Sequence, residues 1–161
     1  MLYLLDANIF IGANAFYYPF DRIPHFWDWL VAEGTAGRVK CPLEIFEDIT
    51  VNGEFGDWLA NEEVREALIL DEEDKQAIFN HVLDVGYGKK LTDTELEAIG
   101  RDPFLVAYAK MAPDRTVVTR EVSKPSLQRG NRKIPDVCAG VSVPWITDFA
   151  LYRTLNFRIA R

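Results

Sequence analysis

Short apolar runs punctuate this chain, and longer stretches of helical spacing separate them. Residues 2–5, LYLL, stop abruptly at Asp6, the pattern of a central buried strand with a polar group at its carboxyl end. Asn8 is placed to cap a short helix whose Ile9, Phe10 and Ile11 turn back toward the sheet. Over residues 24–36, Phe26, Trp27, Leu30 and Val31 recur at helical spacing, with Gly34 and Gly37 near the end. Residues 39–41 read as a second short strand. Pro42 then takes the first position of a helix lined by Leu43, Phe46 and Ile49.

Residues 54–84 carry two or three amphipathic helical patterns: Phe55, Trp58 and Leu59, then Val64 and Leu68, then Ile78 and Val82. Gly86 and Gly88 flank Tyr87 in an expected loop. Thr92 and Glu95 have capping-box spacing, and Gly100 is placed to end that helix. Asp102 and Pro103 open a helix running to about residue 112. Residues 116–118 are a β-branched strand closing on Thr119. A shorter helix from Pro135, a strand near residues 143–146 and a helix capped by Thr147 complete the pattern. Strands alternating with helices predict a parallel sheet covered on both faces, an α/β fold. No repeat, low-complexity tract or linker divides residues 1–161, so one domain is expected.

Composition supports that reading. Of 161 residues, 48% are apolar and 12% aromatic, enough for a sizeable core. The longest apolar run, FLVAYA at residues 104–109, is far short of the roughly 20 residues that span a bilayer. No secretory signal pattern opens the chain, and Cys41 and Cys138 lack both a disulfide framework and metal-ligand spacing. Reduced thiols in a cytoplasmic protein are expected. His25 and His81, the two histidines, exclude a histidine-rich metal site and read as surface or capping residues. Trp58 and Trp145 read as core.

The net charge of −7 opposes nonspecific binding to nucleic acid. It is unevenly spread, however. Residues 54–84 hold ten acids against Arg65 and Lys75, a solvated helical face. Residues 120–133 hold Arg120, Lys124, Arg129, Arg132 and Lys133 against Glu121 alone, in a stretch whose Pro125, Gly130 and Asn131 make it a loop.

Ligands of open parallel sheets collect beyond the carboxyl ends of the strands. The polar residues expected there are acidic: Asp6, Glu44, Glu47, Asp102, Glu121 and Asp136. The absence of a neighbouring Ser–His or Cys–His pair argues against nucleophilic catalysis. Two carboxylates about 5 Å apart, at an effective dielectric near 20, repel by on the order of 3 kcal/mol. Several in one cleft therefore need protons or a cation, and oxygen-only ligands select Mg²⁺ or Mn²⁺. Acids beside a basic loop are the layout of a metal-dependent phosphodiesterase. Taken alone, Asp6 or Asp102 reads as a helix cap.

Taken in order, LLDANIF, RVKCPLEIFEDI, RDPFLVAYAK and TVVTRE resemble the blocks of a PIN domain, the nuclease fold of the VapC-type toxins of bacterial and archaeal toxin–antitoxin pairs. The blocks cover residues 2–121, and KIPDVC with the last strand and helix suits a PIN-like subgroup with a longer helical insert, roughly residues 54–100. The resemblance implies a three-layer sandwich with a short central parallel sheet between helices. It also implies a metal site of Asp6, Glu47, Asp102 and Glu121, with Glu44 and Asp136 as alternative acids. The fourth block departs from the family by offering Glu121 where Asp is commoner. Asn8 and Thr119 would be hydrogen-bonding neighbours that orient the carboxylates.

The resulting expectation is an Mg²⁺- or Mn²⁺-dependent endoribonuclease in which a bound water attacks phosphorus and the products carry 5′-phosphate and 3′-hydroxyl ends. Arg120, Lys124, Arg129, Arg132 and Lys133 would guide the RNA backbone. By resemblance to the toxins, a cognate antitoxin would block the site with a basic residue. The aromatic region of Tyr17, Tyr18, Phe26, Trp27 and Trp29 reads as core or as a dimer or antitoxin interface. The alternative function is a catalytically weak PIN-like scaffold that binds RNA or a protein partner. A phospho-accepting receiver domain lacks support: its paired acids and its Lys after the last strand are missing.

Overall fold

The computed structural model describes residues 1–159. From the amino terminus, β1 (Leu2–Leu5) leads into α1 (Ala7–Gly12), which continues as one π-helical turn, Ala13–Tyr17, before α2 (Pro24–Thr35). Then come β2 (Val39–Pro42), α3 (Leu43–Phe46), α4 (Gly53–Ala60), α5 (Glu62–Leu68) and β3 (Ile69–Leu70). Next, α6 (Gln76–His81) also runs into a π-helical turn, Val82–Tyr87, and is followed by α7 (Asp93–Ile99) and α8 (Asp102–Lys110). The chain finishes with β4 (Arg115–Val118), α9 (Ile134–Gly140), β5 (Trp145–Ile146) and α10 (Asp148–Thr154).

The five strands among the described residues are all parallel, in the order β3-β2-β1-β4-β5. Their near-continuous apolar character follows from cover on both faces: Leu4, Leu5, Val39, Cys41, Val117 and Val118 are fully buried. Right-handed crossovers decide which helix covers which face. Steps outward from β1 to β2 and β3 place α2 and α5 on one face, packed on each other. Steps in the opposite sense, to β4 and on to β5, place α8 and α9 on the other. The result is the three-layer α/β sandwich.

Aromatic packing seals the α2 side. Phe26 and Trp27 of α2 are buried, Tyr18 stacks on Phe26 at 4.6 Å, and Tyr152 of α10 meets Phe26 edge-on at 5.2 Å. Most of the early aromatic region is therefore core. Trp58 and Trp145 pack against that core while half-buried, and His25 and His81 are exposed. The capping box at Thr92 and Glu95 forms as its spacing predicts, with reciprocal bonds of 3.1 and 3.2 Å.

Several local expectations change. Ile11, expected to turn toward the sheet, is 44% exposed, and Pro42 ends β2, with the helix after it closing at Phe46. Ile69–Leu70, buried in a stretch rich in acids, supplies an edge strand too short to leave a periodic signal. Tyr87, expected in a loop, ends a π-helical turn. Asn8 lies inside α1 rather than capping it: Asp6 takes the extended cap conformation, with φ −72° and ψ 155°.

The contact between α2 and α5 depends on Gly34. A Cβ there would stand 2.5 Å from the Ala67 carbonyl oxygen and 2.8 Å from Leu68 Cδ2. Gly34→Ala is expected to cost about 1–3 kcal/mol, read as a fall of several degrees in the melting temperature.

Candidate functional site

β1 and β4 are neighbours whose onward connections leave in opposite directions, so a crevice opens between their carboxyl ends. The sheet ladder extends one residue past both strands. The Asp6 amide donates to the Val118 carbonyl at 2.9 Å, and that of Thr119 to the Ile146 carbonyl at 3.1 Å. Asp6 and Thr119 are thus held on rigid backbone, and the Thr119 hydroxyl donates to Asp6 Oδ2 at 2.7 Å. Asn8 Nδ2 and the Glu121 amide donate to Thr119 Oγ1 at 3.3 and 3.1 Å, while the Arg120 amide donates to Asn8 Oδ1 at 3.1 Å. This network fixes the Asp6 rotamer and the path of the chain leaving β4.

Asp6 caps α1 in the extended conformation, where the Ala7 and Asn8 amides favour its carboxylate, and Asp102 stands in the first turn of α8. Both are nevertheless short of compensating charge. Burial pushes the Asp6 carboxyl up to about 6 against the opposing pull of the Thr119 hydroxyl, with the Glu121 charge adding to the rise. Asp102 is pushed up to about 7, by burial first and then by Asp6, Glu121 and Asp48, with Lys133 opposing. Asp6, Asp102 and Glu121 therefore share one electrostatic environment. The buried Tyr87 lies beside it: burial raises its phenol, and the charges of Asp102 and Glu121 raise it further. Burial also raises the Cys41 and Cys138 thiols, which keeps them protonated and unreactive.

The remaining expected acids have different surroundings. Glu47 is exposed and accepts from Arg101 Nη1 at 3.2 Å, and Arg101 Nε lies 3.8 Å from Asp48 Oδ1. Because Arg101 directly precedes Asp102, it ties Glu47 to the N-terminal end of α8. Glu44 turns elsewhere: its Oε1 accepts from the Tyr108 hydroxyl at 3.1 Å, and it helps line a separate cavity with Leu43, Arg65, Leu70 and Glu72. Glu121 Oε2 accepts from the Ile134 amide at 2.6 Å, which anchors the start of α9. Asp136 accepts from Ser123 Oγ at 2.5 Å and from the Lys124 amide at 2.8 Å, closing the basic loop on itself.

Much of that loop's positive charge is committed to its own architecture. Arg129 grips Glu95 with two bonds of 2.7 and 3.1 Å, and Arg132 donates to the carbonyls of Gly86 and Asp136. Arg120 pairs with Asp148 at 3.2 Å. The Lys124 side chain is exposed, and Lys133 acts on Asp102. Sequence reasoning did not single out Asp48, Arg101 or Tyr87 for this site. The first two adjoin acids that were singled out, and Tyr87 gave only its flanking glycines as a signal.

Oxygen donors whose burial is not offset by a cation suit a hard divalent ion. Among the described residues, no three Asp, Glu, His or Cys side chains already stand at a spacing that closes around one ion. Glu121 and Glu47 are held by the Ile134 amide and by Arg101.

No curated protein and no solved structure matches the chain. A family model described as a domain of unknown function, DUF4411, matches residues 3–159, and the chain belongs to that family.

Proposed function

We propose that the protein is a metal-dependent ribonuclease of the PIN type, and the toxin of a toxin–antitoxin pair. The observation that carries the reading is the buried Asp6 and the half-buried Asp102, both coupled to Glu121 at the switch point of a parallel sheet. Repulsion of this kind persists in a fold where its relief by a ligand is useful. Asp6, Asp102 and Glu121, with Glu47 at the mouth, would hold Mg²⁺ or Mn²⁺. When bound, such an ion supplies an activated water and neutralises charge developing on a phosphodiester.

The chain's own residues do the positioning. Thr119 and Asn8 hold Asp6 in one orientation. Lys133 beside Asp102 supplies positive charge for a backbone phosphate, and the exposed Lys124 of the same loop would add to it. Hydrolysis leaves 5′-phosphate and 3′-hydroxyl ends. An antitoxin would offer a basic side chain to the same carboxylates, as Arg101 already does to Glu47 within the chain. None of the helices among the described residues is long and apolar enough to cross a membrane. The proposed setting is the cytoplasm, where two buried free thiols stay reduced.

The test is incubation of purified protein with end-labelled RNA. Cleavage is expected with Mg²⁺ or Mn²⁺, to stop with a chelator and to return with excess metal, leaving 5′-phosphate ends. Cleavage that ignores the chelator would sink the proposal. The engagement of Glu47 by Arg101 and of Glu121 by Ile134 favours one second reading, a scaffold that binds RNA with little turnover. Metal-loaded protein that binds RNA and cuts none would support it.

A further inference from the structure

The chain leaving the acidic cleft enters an unusual surface. Arg120, one residue beyond Thr119, does not extend into solvent. Its side chain lies along α1, so close to Gly12 that a Cβ there would fall 1.7 Å from Arg120 Nη1. The guanidinium donates to the Tyr17 hydroxyl at 3.2 Å and stands 5.1 Å from the Tyr17 ring centre and 5.4 Å from that of Phe16. Tyr17 meets Phe149 edge-on at 4.9 Å. The π-helical turn, closed by the Tyr18 amide on the Ala13 carbonyl at 2.7 Å, adds a residue to the turn that carries both rings. Phe16 is left 71% exposed.

A phenylalanine exposed to that degree, braced by a guanidinium and joined to Asp6 through Arg120, Asn8 and Thr119, is not explained by packing. We propose that Phe16, Tyr17 and Arg120 form a stacking platform for a nucleobase of a single-stranded RNA whose scissile phosphate occupies the acidic cleft. The proposal rests on the ribonuclease reading and names the form of its substrate. Asp148 offsets the Arg120 charge at 3.2 Å, so the guanidinium offers a flat face more than a free cation. Aromatic rings and guanidinium planes stack on every base, which makes such a platform tolerant of sequence. The exposed rings here, Phe16, Tyr17 and Phe149, and the guanidinium plane of Arg120 beside them are the chemistry that stacks on bases.

The test is fluorescence anisotropy in an Asp6→Asn background, so that no strand is cut. A labelled single-stranded RNA of mixed sequence is compared with an abasic strand of equal length. Phe16→Ala is expected to weaken the base-bearing strand about ten-fold or more, to leave the abasic strand unchanged, and to keep the thermal melt of its parent. Phe16→Trp is expected to retain binding. The proposal is overturned by unchanged affinity in Phe16→Ala, by equal losses on both strands, or by a parent that binds no RNA. A dimer in light scattering that Phe16→Ala splits, with RNA affinity intact, also overturns it and makes the surface an interface between copies. Base-dependent binding in a wild-type chain that cleaves nothing removes the ribonuclease reading and leaves the platform standing. Cleavage indifferent to Phe16 does the reverse.

Discussion

Asp102→Asn is expected to make the metal-free protein more stable at pH 8 and to reduce metal-dependent RNA cleavage at least a hundred-fold. The two effects share one cause. Burial and the charges of Asp6, Glu121 and Asp48 push the Asp102 carboxyl up to about 7, so at pH 8 the folded chain carries an ionised group that its surroundings disfavour. An amide of nearly the same shape removes that charge. One opposing term is the favourable interaction of a carboxylate with the first turn of α8, worth about 0.3–1 kcal/mol. A carboxyl raised from 3.8 to about 7 corresponds to roughly 4 kcal/mol, so the gain dominates. With part of it lost to coupling among the acids, a net stabilisation of about 2–3 kcal/mol remains, or roughly 5–10 °C in melting temperature for a domain of this size. Cleavage falls because a carboxylate is the donor a hard ion needs, and losing one such electrostatic contact typically costs 10²–10³ in rate. Thermal denaturation in chelator and a cleavage assay in Mn²⁺ check the two halves. An unstable variant would mean that Asp102 is structural; a stabilised variant with full activity would remove it from the site.

The alternation of apolar runs and helical spacing was sufficient to read the α/β layering and four strands, because a buried parallel strand leaves an apolar run that stops at its carboxyl end. Ile69–Leu70 left no such trace: two residues at a sheet edge are too few to set a period. Asp6, Asp102 and Glu121 were legible as strand-end or helix-start acids, and the fold does bring them into one electrostatic environment. What sequence could not supply was the partner of each remaining group. Glu44 and Glu47 lie three residues apart on one helix, yet one bonds to Tyr108 and the other to Arg101, choices made by side chains more than fifty residues away. Arg129 and Arg132 looked like ligands for phosphate because a basic loop does not reveal that Glu95 and the Gly86 carbonyl occupy its arginines. Phe16 shows the converse: its exposure follows from a π-helical turn that hydropathy does not encode.

The pH dependence of the unmodified protein carries the second large effect. The ordinary Asp value is 3.8, against about 6 for folded Asp6 and about 7 for folded Asp102. Between about pH 4 and pH 7 the native state therefore holds protons that the unfolded chain has lost, and stability falls as pH rises through that window. Glu95, held down at about 2 by Arg129, works in the opposite sense, but its contribution is lost as pH falls below its ordinary value of 4.5, under the range from pH 5 to pH 8 over which the melting temperatures are compared. Since Asp6 and Asp102 titrate in each other's field, the combined decline is taken as about 3–5 kcal/mol rather than the full sum. In chelator, the melting temperature is expected to drop by roughly 10 °C between pH 5 and pH 8. A divalent ion competes with these protons, so Mg²⁺ or Mn²⁺ should recover several degrees at pH 8 and almost none at pH 5. Asp6→Asn should reduce the slope of the profile and the gain from metal together, because the same carboxylate contributes to both, while Asp102 keeps the part of the slope that its own burial produces. A melting temperature independent of pH across this window, or a metal effect as large at pH 5 as at pH 8, would mean that Asp6 and Asp102 are not where the cation acts.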